Sequence, residues 1–302
     1  MNSPPLVSVI IPTYFRNGRL VEAIESVRSS TYKNINILIV DDSGERHAHA
    51  IAENYDVDYI PHDENMGGNE ARNTGIRAAE GDYIQLLDDD DLLFETKIEK
   101  QIKLLQSSPD IGVAYCGIID RSGEVVLPLS IAPEETLEHA LKFCLPTAFT
   151  SSLLIENQFL QSVYPLTDRN AADDIGMKIE LAKLTNFNYV NEPLVEIRES
   201  ANNRSDKPEF ADELENIVVE YESLYNQFPR TVRRAALRTV YTRRGFSLSE
   251  NKVWSPSATF NFGKALYYSE SFDLRLAIVA LASIFGKPGI ELVANIRDAI
   301  FD

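Results

Sequence analysis

The stretch Tyr83–Leu93 constrains the fold more than any other part of this sequence, because a short apolar run in it ends in four consecutive aspartates, Asp88 to Asp91. The run follows Gly81, and its length and boundaries predict a buried parallel strand. Ligands of open α/β sheets bind at the carboxyl ends of the strands, so the aspartates are expected at the mouth of a site. Asp88 and Asp90 stand at alternate positions and can converge on one Mg²⁺ ion, whose shell is typically completed by water and phosphate oxygens. A solvated acidic turn is the competing interpretation, and these four residues alone leave both open.

The composition indicates a globular protein that works without nucleic acid. With 302 residues, of which 44% are hydrophobic, the chain can bury a large core as one large domain or two smaller ones. The formal net charge of −17 argues against a polyanionic partner. Cys116 and Cys144 lack the spacing of a disulfide framework or metal site, which favours a reducing, cytoplasmic compartment. No signal peptide is indicated, and the longest late apolar stretch, Leu276–Phe285, is about half of what a bilayer-spanning helix needs, so no membrane crossing is predicted.

Strand-like and helix-like segments alternate along the first part of the chain. Val7–Pro12 is rich in β-branched residues, and apolar residues then recur at helical spacing between Leu20 and Val27. Further strands are predicted at Asn36–Val40 and Val57–Pro61. This alternation predicts an α/β fold with a largely parallel sheet flanked by helices.

Polar side chains follow three of the predicted strands. Thr13 and Tyr14 follow the first strand, Asp41 and Asp42 follow the second, and the aspartate cluster follows the fourth. Since parallel strands end at one edge of a sheet, these side chains are expected to meet in one crevice, which favours a ligand site over a solvated turn. The first strand is followed neither by a Gly-x-Gly-x-x-Gly loop nor by a Walker loop, which excludes those two modes of nucleotide binding.

Four segments resemble, in order, the signatures of family 2 glycosyltransferases with the GT-A fold: Val7–Tyr14, Ile39–Ser43, Asn65–Ile76 and Leu87–Asp91. The resemblance implies a Rossmann-like α/β fold whose sheet is mixed and mostly parallel. It implies a hexosyltransferase-type enzyme that moves a sugar from a nucleoside-diphosphate sugar to an acceptor hydroxyl, with inversion and with Mg²⁺ or Mn²⁺ as the cofactor. A UDP-sugar is the favoured donor.

The resemblance also implies how the chain is divided. A catalytic domain is expected over residues 1–210, with a nucleotide-binding part at about 1–115 and an acceptor-binding part at about 116–210. A C-terminal helical region is expected over residues 211–302, because the pattern becomes helical from about Asp212 onward.

The resemblance assigns donor contacts residue by residue. The implied nucleotide-sugar-binding residues are Pro12, Thr13, Tyr14, Asp41, Asp42, Arg72, Asn73, Asp88 and Asp89. Tyr14 would pack against the base, Asp42 would accept a hydrogen bond from it, which for uracil means the imide N–H, and Asp41 would brace the loop. Arg72 would contact phosphate or ribose, although an ion pair with the acid cluster is an equal alternative.

The Asp-x-Asp motif of the family matches the aspartate cluster. Asp88 resembles the acid that faces the ribose and the metal-bound waters, and Asp90 resembles the direct metal ligand. The implied metal ligands are therefore Asp90 and Asp88, with Asp91 holding the motif from behind.

An inverting transfer also needs a base, because a sugar hydroxyl is a poor nucleophile at neutral pH. The family places this base in an acid pair that opens a helix, and Asn170–Ala182 fits that place. We expect Asp174 to be the general base and Asp173 to orient the loop or touch the acceptor. Capping of the helix N-terminus is a simpler role for the same acids and is compatible with catalysis.

One departure from the family pattern concerns the diphosphate. Many members carry Arg-x-His after the strand that here ends near Arg198, and Ser200 occupies the position of that histidine. Arg198, Ser200 and Arg204 are therefore the candidate diphosphate contacts, and the metal alone is the other source of leaving-group stabilisation.

The C-terminal region bears on location. Arg230–Arg244 is densely basic, and Leu274–Phe301 combines apolar helix faces with scattered charge. Such helices can lie on the cytosolic face of an anionic membrane and meet a polyprenyl-linked acceptor, as in cell-surface polysaccharide or glycoprotein assembly, or they can pack on the catalytic domain. The sequence leaves both open.

Two other functions compete with glycosyl transfer. A catalytically silent subunit that binds a nucleotide-sugar would keep the same donor pocket. A sugar-phosphate nucleotidyltransferase shares the layered fold, but it would carry a Gly-x-Gly-x-Arg-type loop after the first strand, and this chain has none.

Overall fold

The computed structural model describes residues 3–198, 209–250 and 254–292, and within them nine strands form one sheet. The strands are β1 (Val7–Thr13), β2 (Ile35–Asp41), β3 (Asp58–Pro61), β4 (Tyr83–Leu86), β5 (Leu92–Leu93), β6 (Ile111–Ile119), β7 (Val125–Val126), β8 (Leu154–Glu156) and β9 (Asn186–Glu196). Their order across the sheet is β3-β2-β1-β4-β8-β6-β9-β5, and β7 pairs with β6.

The sheet is mixed, and its longer ladders are parallel. β1 lies between β2 and β4 and runs parallel to both, and β2 is parallel to β3. β8 runs antiparallel to β4 and β6, whereas β6 and β9 are parallel. The predicted α/β fold with a mixed sheet is confirmed. The sequence did not indicate β5 or β8, because segments this short show no periodicity.

Helices flank the sheet, and further helices follow in the sequence. They are α1 (Asn17–Arg28), α2 (His49–Tyr55), α3 (Gly68–Ala78), α4 (Lys97–Ser107), α5 (Thr136–Leu141), α6 (Asn157–Val163), α7 (Asp173–Ala182), α8 (Glu209–Glu220), α9 (Glu222–Tyr225), α10 (Arg230–Glu250), α11 (Pro256–Tyr268) and α12 (Leu274–Ala282). The apolar stripe predicted for α1 is buried against the sheet, as the helical spacing between Leu20 and Val27 required.

The position of α3 depends on a close approach to β1. A Cβ atom on Gly75 would lie 2.2 Å from Cγ2 of Ile10, so a larger residue would push the helix away. Because α3 connects the parallel strands β3 and β4, it runs back across the sheet and begins at the edge where those strands end. Gly67, just before the helix, has a φ of +90°, a conformation that glycine adopts at little cost.

A buried polar cluster ties α4 to the sheet and to the short 3₁₀ turn Thr150–Ser152. Lys97 is fully buried, and its Nζ donates to the Oε1 atoms of Gln85 and Gln101. Burial lowers the pKa of Lys97 to about 8. The two glutamine amides donate in turn to carbonyls of the 3₁₀ turn at 2.9 Å, so the cluster fixes the position of that turn.

The chain divides into two compact units. The first contains the sheet and most of the helices around it, and the second contains the helices from α8 onward together with Leu141–Cys144 and Arg169–Ala172. The basic segment Arg230–Arg244 lies on α10, and several of its arginines pair with acids of the second unit: Arg233 with Glu222, Arg238 with Asp273, and Arg244 with Asp212 and Glu215. Much of the positive charge that the sequence displays there is therefore compensated within the unit.

The second unit also exposes an apolar surface. Leu274, Ile278, Leu281, Ile284 and Phe285, on α12 and the turn after it, are all exposed, and we call them the C-terminal apolar face. In the described ranges no helix combines the length and the apolar character that crossing a membrane requires.

Candidate active site

The four aspartates follow β4 directly and are held by a serine from the 3₁₀ turn. Ser151 Oγ donates to Asp91 Oδ2 at 2.6 Å and itself accepts the N–H of Asp88 at 3.2 Å. The N–H of Asp91 donates to the carbonyl of Asp88 at 3.1 Å, which closes the loop into a tight turn. Ser151 was not predicted, because it lies 60 residues away in sequence and only the fold brings it here.

The aspartates alternate between inward and outward positions. Asp89 and Asp91 are buried, whereas the side chains of Asp88 and Asp90 keep 36% and 13% of their surface exposed. Burial raises the pKa of Asp91 to about 8, with Asp88 adding to it, and raises that of Asp89 to about 6. Asp88 and Asp90 are therefore the pair that faces outward, on the alternate positions that the sequence suggested.

Two arginines lie against the outward pair. Arg16 Nη1 donates to Asp89 Oδ1 at 3.0 Å and to Asp90 Oδ2 at 2.8 Å. Arg72, on the first turns of α3, donates to Asp88 Oδ1. Burial opposes the charge of Arg72, but Asp88, Asp173 and Asp174 raise its pKa above the usual value. The structure therefore contains the ion pair between Arg72 and the acid cluster that the sequence left as an alternative. The sequence did not indicate the role of Arg16.

The outward aspartates have the donor set that a hard cation needs. Oδ2 of Asp88 and Oδ1 of Asp90 make no hydrogen bond to any described residue, although the other oxygen of each carboxylate is paired. Among the described residues no group of three or more histidine, cysteine or acidic side chains is placed to enclose a metal. Two carboxylates with open oxygens fit Mg²⁺ or Mn²⁺ that takes its remaining ligands from water and phosphate.

The two acids after β2 have different surroundings. Asp41 accepts the N–H groups of Ser43 at 3.0 Å and Ala48 at 2.7 Å and the hydroxyl of Tyr59 at 2.8 Å. Burial would raise the pKa of Asp41, but these donors hold it below its ordinary value. Asp41 braces the loop after β2, which is the role the sequence suggested for it.

Asp42 holds the entrance to α3. Its carboxylate accepts the N–H groups of Met66 at 2.8 Å and Gly67 at 2.9 Å. His62 Nδ1 lies 2.7 Å from it, and His62 Nε2 lies 3.0 Å from Thr74 Oγ1. A carboxylate only accepts, so Nδ1 carries the proton of this bond. His62 is a buried member of the site that no motif in the sequence indicated.

Aromatic rings stand at the end of β1. Tyr14 and Phe15 are both exposed, with ring centroids 4.8 Å apart in an edge-on arrangement. Thr13 is buried, and its Oγ1 donates to Asp89 Oδ2 at 2.8 Å, so its hydroxyl supports the aspartate loop. Pro12, beside it, is partly buried. Contacts of these residues with a nucleotide base stay predictions.

The acid pair Asp173–Asp174 occupies the first turn of α7, as predicted. Asp173 is buried, and Asp174 is partly exposed and accepts a hydrogen bond from Lys178 Nζ at 2.9 Å. Lys178 also donates to the carbonyl of Ala148 at 3.0 Å, which fixes its position. Both acids are close enough to Arg72 to raise its pKa, so the pair and the aspartate loop share one charged neighbourhood.

Two of the predicted residues are engaged with the protein itself. The side-chain amide of Asn73 accepts the N–H of Leu166 at 2.8 Å and donates to the carbonyl of the same residue at 3.2 Å. Arg198 Nε donates to the carbonyl of Asp90 at 2.6 Å, while its Nη1 pairs with Glu22 and its Nη2 is buried without a hydrogen-bond partner in the described part of the chain. Their donor contacts stay predictions. Ser200 and Arg204 lie outside the described residues.

Comparison with known sequences identifies similar proteins. The model of the family described as Glycosyl transferase family 2 matches residues 8–176. An uncharacterized glycosyltransferase of Haemophilus influenzae is 27% identical over 197 residues, which cover 63% of this chain and 67% of that protein. An uncharacterized glycosyltransferase of Rickettsia typhi is 40% identical over 116 residues, which cover 37% of this chain and 36% of that protein. The match therefore spans little more than a third of the Rickettsia relative.

Comparison with solved structures identifies the same fold. Residues 1–349 of Staphylococcus aureus TarS in complex with UDP-GlcNAc superpose with a TM-score of 0.64 at 18% identity, covering 97% of this chain and 92% of that one. A mannosyltransferase of Pyrobaculum calidifontis in complex with GDP-Man and Mn²⁺ gives a TM-score of 0.58 at 16% identity, covering 99% and 88%. At these identities the likeness concerns the fold.

Proposed function

Since the chain belongs to glycosyl transferase family 2, we propose that it moves a sugar from a nucleoside-diphosphate sugar to an acceptor hydroxyl, with inversion at the anomeric carbon. The observation that carries the proposal is the aspartate pair Asp88 and Asp90, which presents two open carboxylate oxygens beside two arginines at the carboxyl edge of the sheet. That arrangement suits a diphosphate bridged by a divalent cation.

The donor would lie along the ends of β1, β2 and β4. Tyr14 would pack against the base, and Asp42 would accept its N–H in addition to the loop bonds it already makes, which favours a UDP-sugar. Arg72 would meet the diphosphate beside Asp88. Two solved structures of the same fold hold UDP-GlcNAc and GDP-Man, which supports a nucleotide-sugar donor whose base is uracil or guanine.

Asp88 and Asp90 would hold Mg²⁺ or Mn²⁺, which neutralises the charge that develops on the departing diphosphate. Asp174 would take the proton from the acceptor hydroxyl as that oxygen attacks the anomeric carbon. Lys178, which donates to Asp174 at 2.9 Å, would keep the carboxylate in one orientation. Asp173 would hold the start of α7 or touch the acceptor.

A screen of nucleotide-sugars for thermal stabilisation tests the donor class. We expect UDP-sugars with Mn²⁺ to raise the melting temperature by several degrees, since ligand at about 100 times its Kd adds about 2.7 kcal/mol. UDP-sugars without Mn²⁺ and GDP-sugars with Mn²⁺ should stabilise less. If no nucleotide-sugar changes the melting temperature with the metal present, the proposal fails.

We propose in addition that the protein works in the cytoplasm and reaches a polyprenyl-linked or other glycan acceptor at a lipid surface, through the C-terminal apolar face. The support is that successive turns of α12 expose Leu274, Ile278 and Leu281, while arginines of α10 are paired within their own unit. The contact would therefore be mainly apolar rather than electrostatic.

Vesicle co-sedimentation tests this contact. We expect binding to neutral phosphatidylcholine vesicles that changes less than about twofold between roughly 50 and 500 mM NaCl, because apolar burial is little screened by salt. Leu281→Asp with Phe285→Asp should abolish it, whereas Leu184→Asp, which changes an exposed leucine of the first unit, should not. Absence of wild-type binding, or self-association through the same face in light scattering, would overturn the proposal.

A further inference from the structure

Arg16 forms an ion pair with Asp90, the predicted metal ligand. Its Nη1 bonds both Asp89 Oδ1 and Asp90 Oδ2, at 3.0 and 2.8 Å. It lies in the loop after β1, at the residue immediately before α1, and its side chain makes no capping hydrogen bond to that helix. Its guanidinium is therefore directed to the aspartates and makes no capping bond to the helix.

The two arginines of the site differ in how exposed their side chains are. The side chain of Arg16 is 40% exposed, whereas that of Arg72, which pairs with Asp88, is 13% exposed. An exposed side chain can change partner without opening the core. Of the two, Arg16 is therefore the one able to exchange.

A divalent cation and a guanidinium that share one carboxylate repel each other, so a metal arriving alone at Asp90 must compete with Arg16. A diphosphate changes the balance, because the planar fork of arginine binds phosphate oxygens in a bidentate manner. Arg16 would then leave Asp90 for a better partner.

We propose that Arg16 couples the binding of the metal to the binding of the nucleotide: it neutralises Asp90 while the site is empty and transfers to the diphosphate when metal and nucleotide bind together. The inference rests on the proposed function for the metal and the diphosphate. Because coupling is reciprocal, Mn²⁺ strengthens UDP binding by the same factor by which UDP strengthens Mn²⁺ binding.

Titration of Mn²⁺, followed by the electron paramagnetic resonance signal of the free ion, tests the coupling with UDP present and absent. For Arg16→Gln we expect Mn²⁺ alone to bind about tenfold more tightly, and UDP in the presence of Mn²⁺ to bind about tenfold more weakly. Arg16→Lys keeps the charge without the fork, so its affinity for Mn²⁺ alone should stay near that of the wild type while the coupling still falls.

Arg28→Gln is the matched control, because it removes the same charge from the far end of α1, about 18 Å along the helix, where Arg28 bonds the carbonyl of Tyr55. It should change neither affinity. If Arg16→Gln leaves both affinities unchanged, or weakens Mn²⁺ binding in the absence of UDP, the coupling is disproved. If the wild type binds no Mn²⁺ even with UDP, the metal role in the proposed function has failed instead.

Discussion

Asp90→Asn is expected to lower kcat/KM for sugar transfer by about 10³-fold or more, because it removes the negative charge that would bind the metal while keeping the size of the side chain. Oδ1 of Asp90 is open and its Oδ2 is held by Arg16, so the change alters the charge of the site more than its packing. Steady-state kinetics with a UDP-sugar identified in the thermal screen would measure the loss. Removal of the metal with a chelator should produce a loss of similar size in the wild type and little further loss in the variant.

Asp88→Asn should act in the same direction but also loosen Arg72, its ion-pair partner. Asp110→Asn, at an exposed carboxylate just before β6, is the matched control and should retain wild-type kinetics. Retention of turnover by both Asp88→Asn and Asp90→Asn, with the proteins folded, would refute the proposal that this pair binds the metal.

The part of the site that the sequence could predict is the part carried by strand ends. Asp88 and Asp90 follow an apolar run at alternate positions, which suggested that the two carboxylates could converge on one ion. They lie in the turn after β4 and not in the strand, and both keep exposed surface while Asp89 and Asp91 are buried. The opening of α7 at Asp173 was predictable for a similar reason, since acids are favoured in the first turn of a helix.

Residues that act across the fold gave no signal in the sequence. Ser151 supports the aspartate loop from a 3₁₀ turn fixed by the buried cluster around Lys97, and His62 supports Asp42 from the end of β3. Neither lies in a motif, because each role depends on which strands become neighbours. Arg16 is adjacent to a recognised segment, but its charge becomes informative only once β1 and β4 are known to pair.

The basic segment of the C-terminal region illustrates the limit of charge patterns. Arg238 and Arg244 belong to a run whose density suggested an anionic membrane, yet each pairs with an acid distant in sequence. A linear pattern records the charges of one helix and not those of the helices that pack on it. An exposed apolar surface lies on α12, where the spacing of leucine and isoleucine in the sequence indicates it.

Asp174→Asn is expected to lower kcat by about 10² to 10⁴-fold, because an amide cannot take the proton from the acceptor hydroxyl. The Kd of the UDP-sugar with Mn²⁺ should stay within about twofold of the wild-type value, since the general base acts on the acceptor and not on the donor. Single-turnover kinetics and donor titration on the same preparation would separate the two effects. This split distinguishes an enzyme from a silent subunit, which would bind the donor but transfer no sugar in the wild type either.

The control for this variant is Glu180→Gln, on the same helix, where the glutamate pairs with Lys183 at 2.7 Å. It alters the charge of α7 by the same amount without touching its first turn, so it should keep both kcat and donor affinity. Lys178→Met tests the orientation of the base, because the variant keeps the carboxylate of Asp174 but loses the 2.9 Å bond that orients it. We expect a smaller loss in kcat than for Asp174→Asn. A fully active Asp174→Asn would mean that another group accepts the proton, and Asp173, one residue earlier in the same turn, would then be the next to replace.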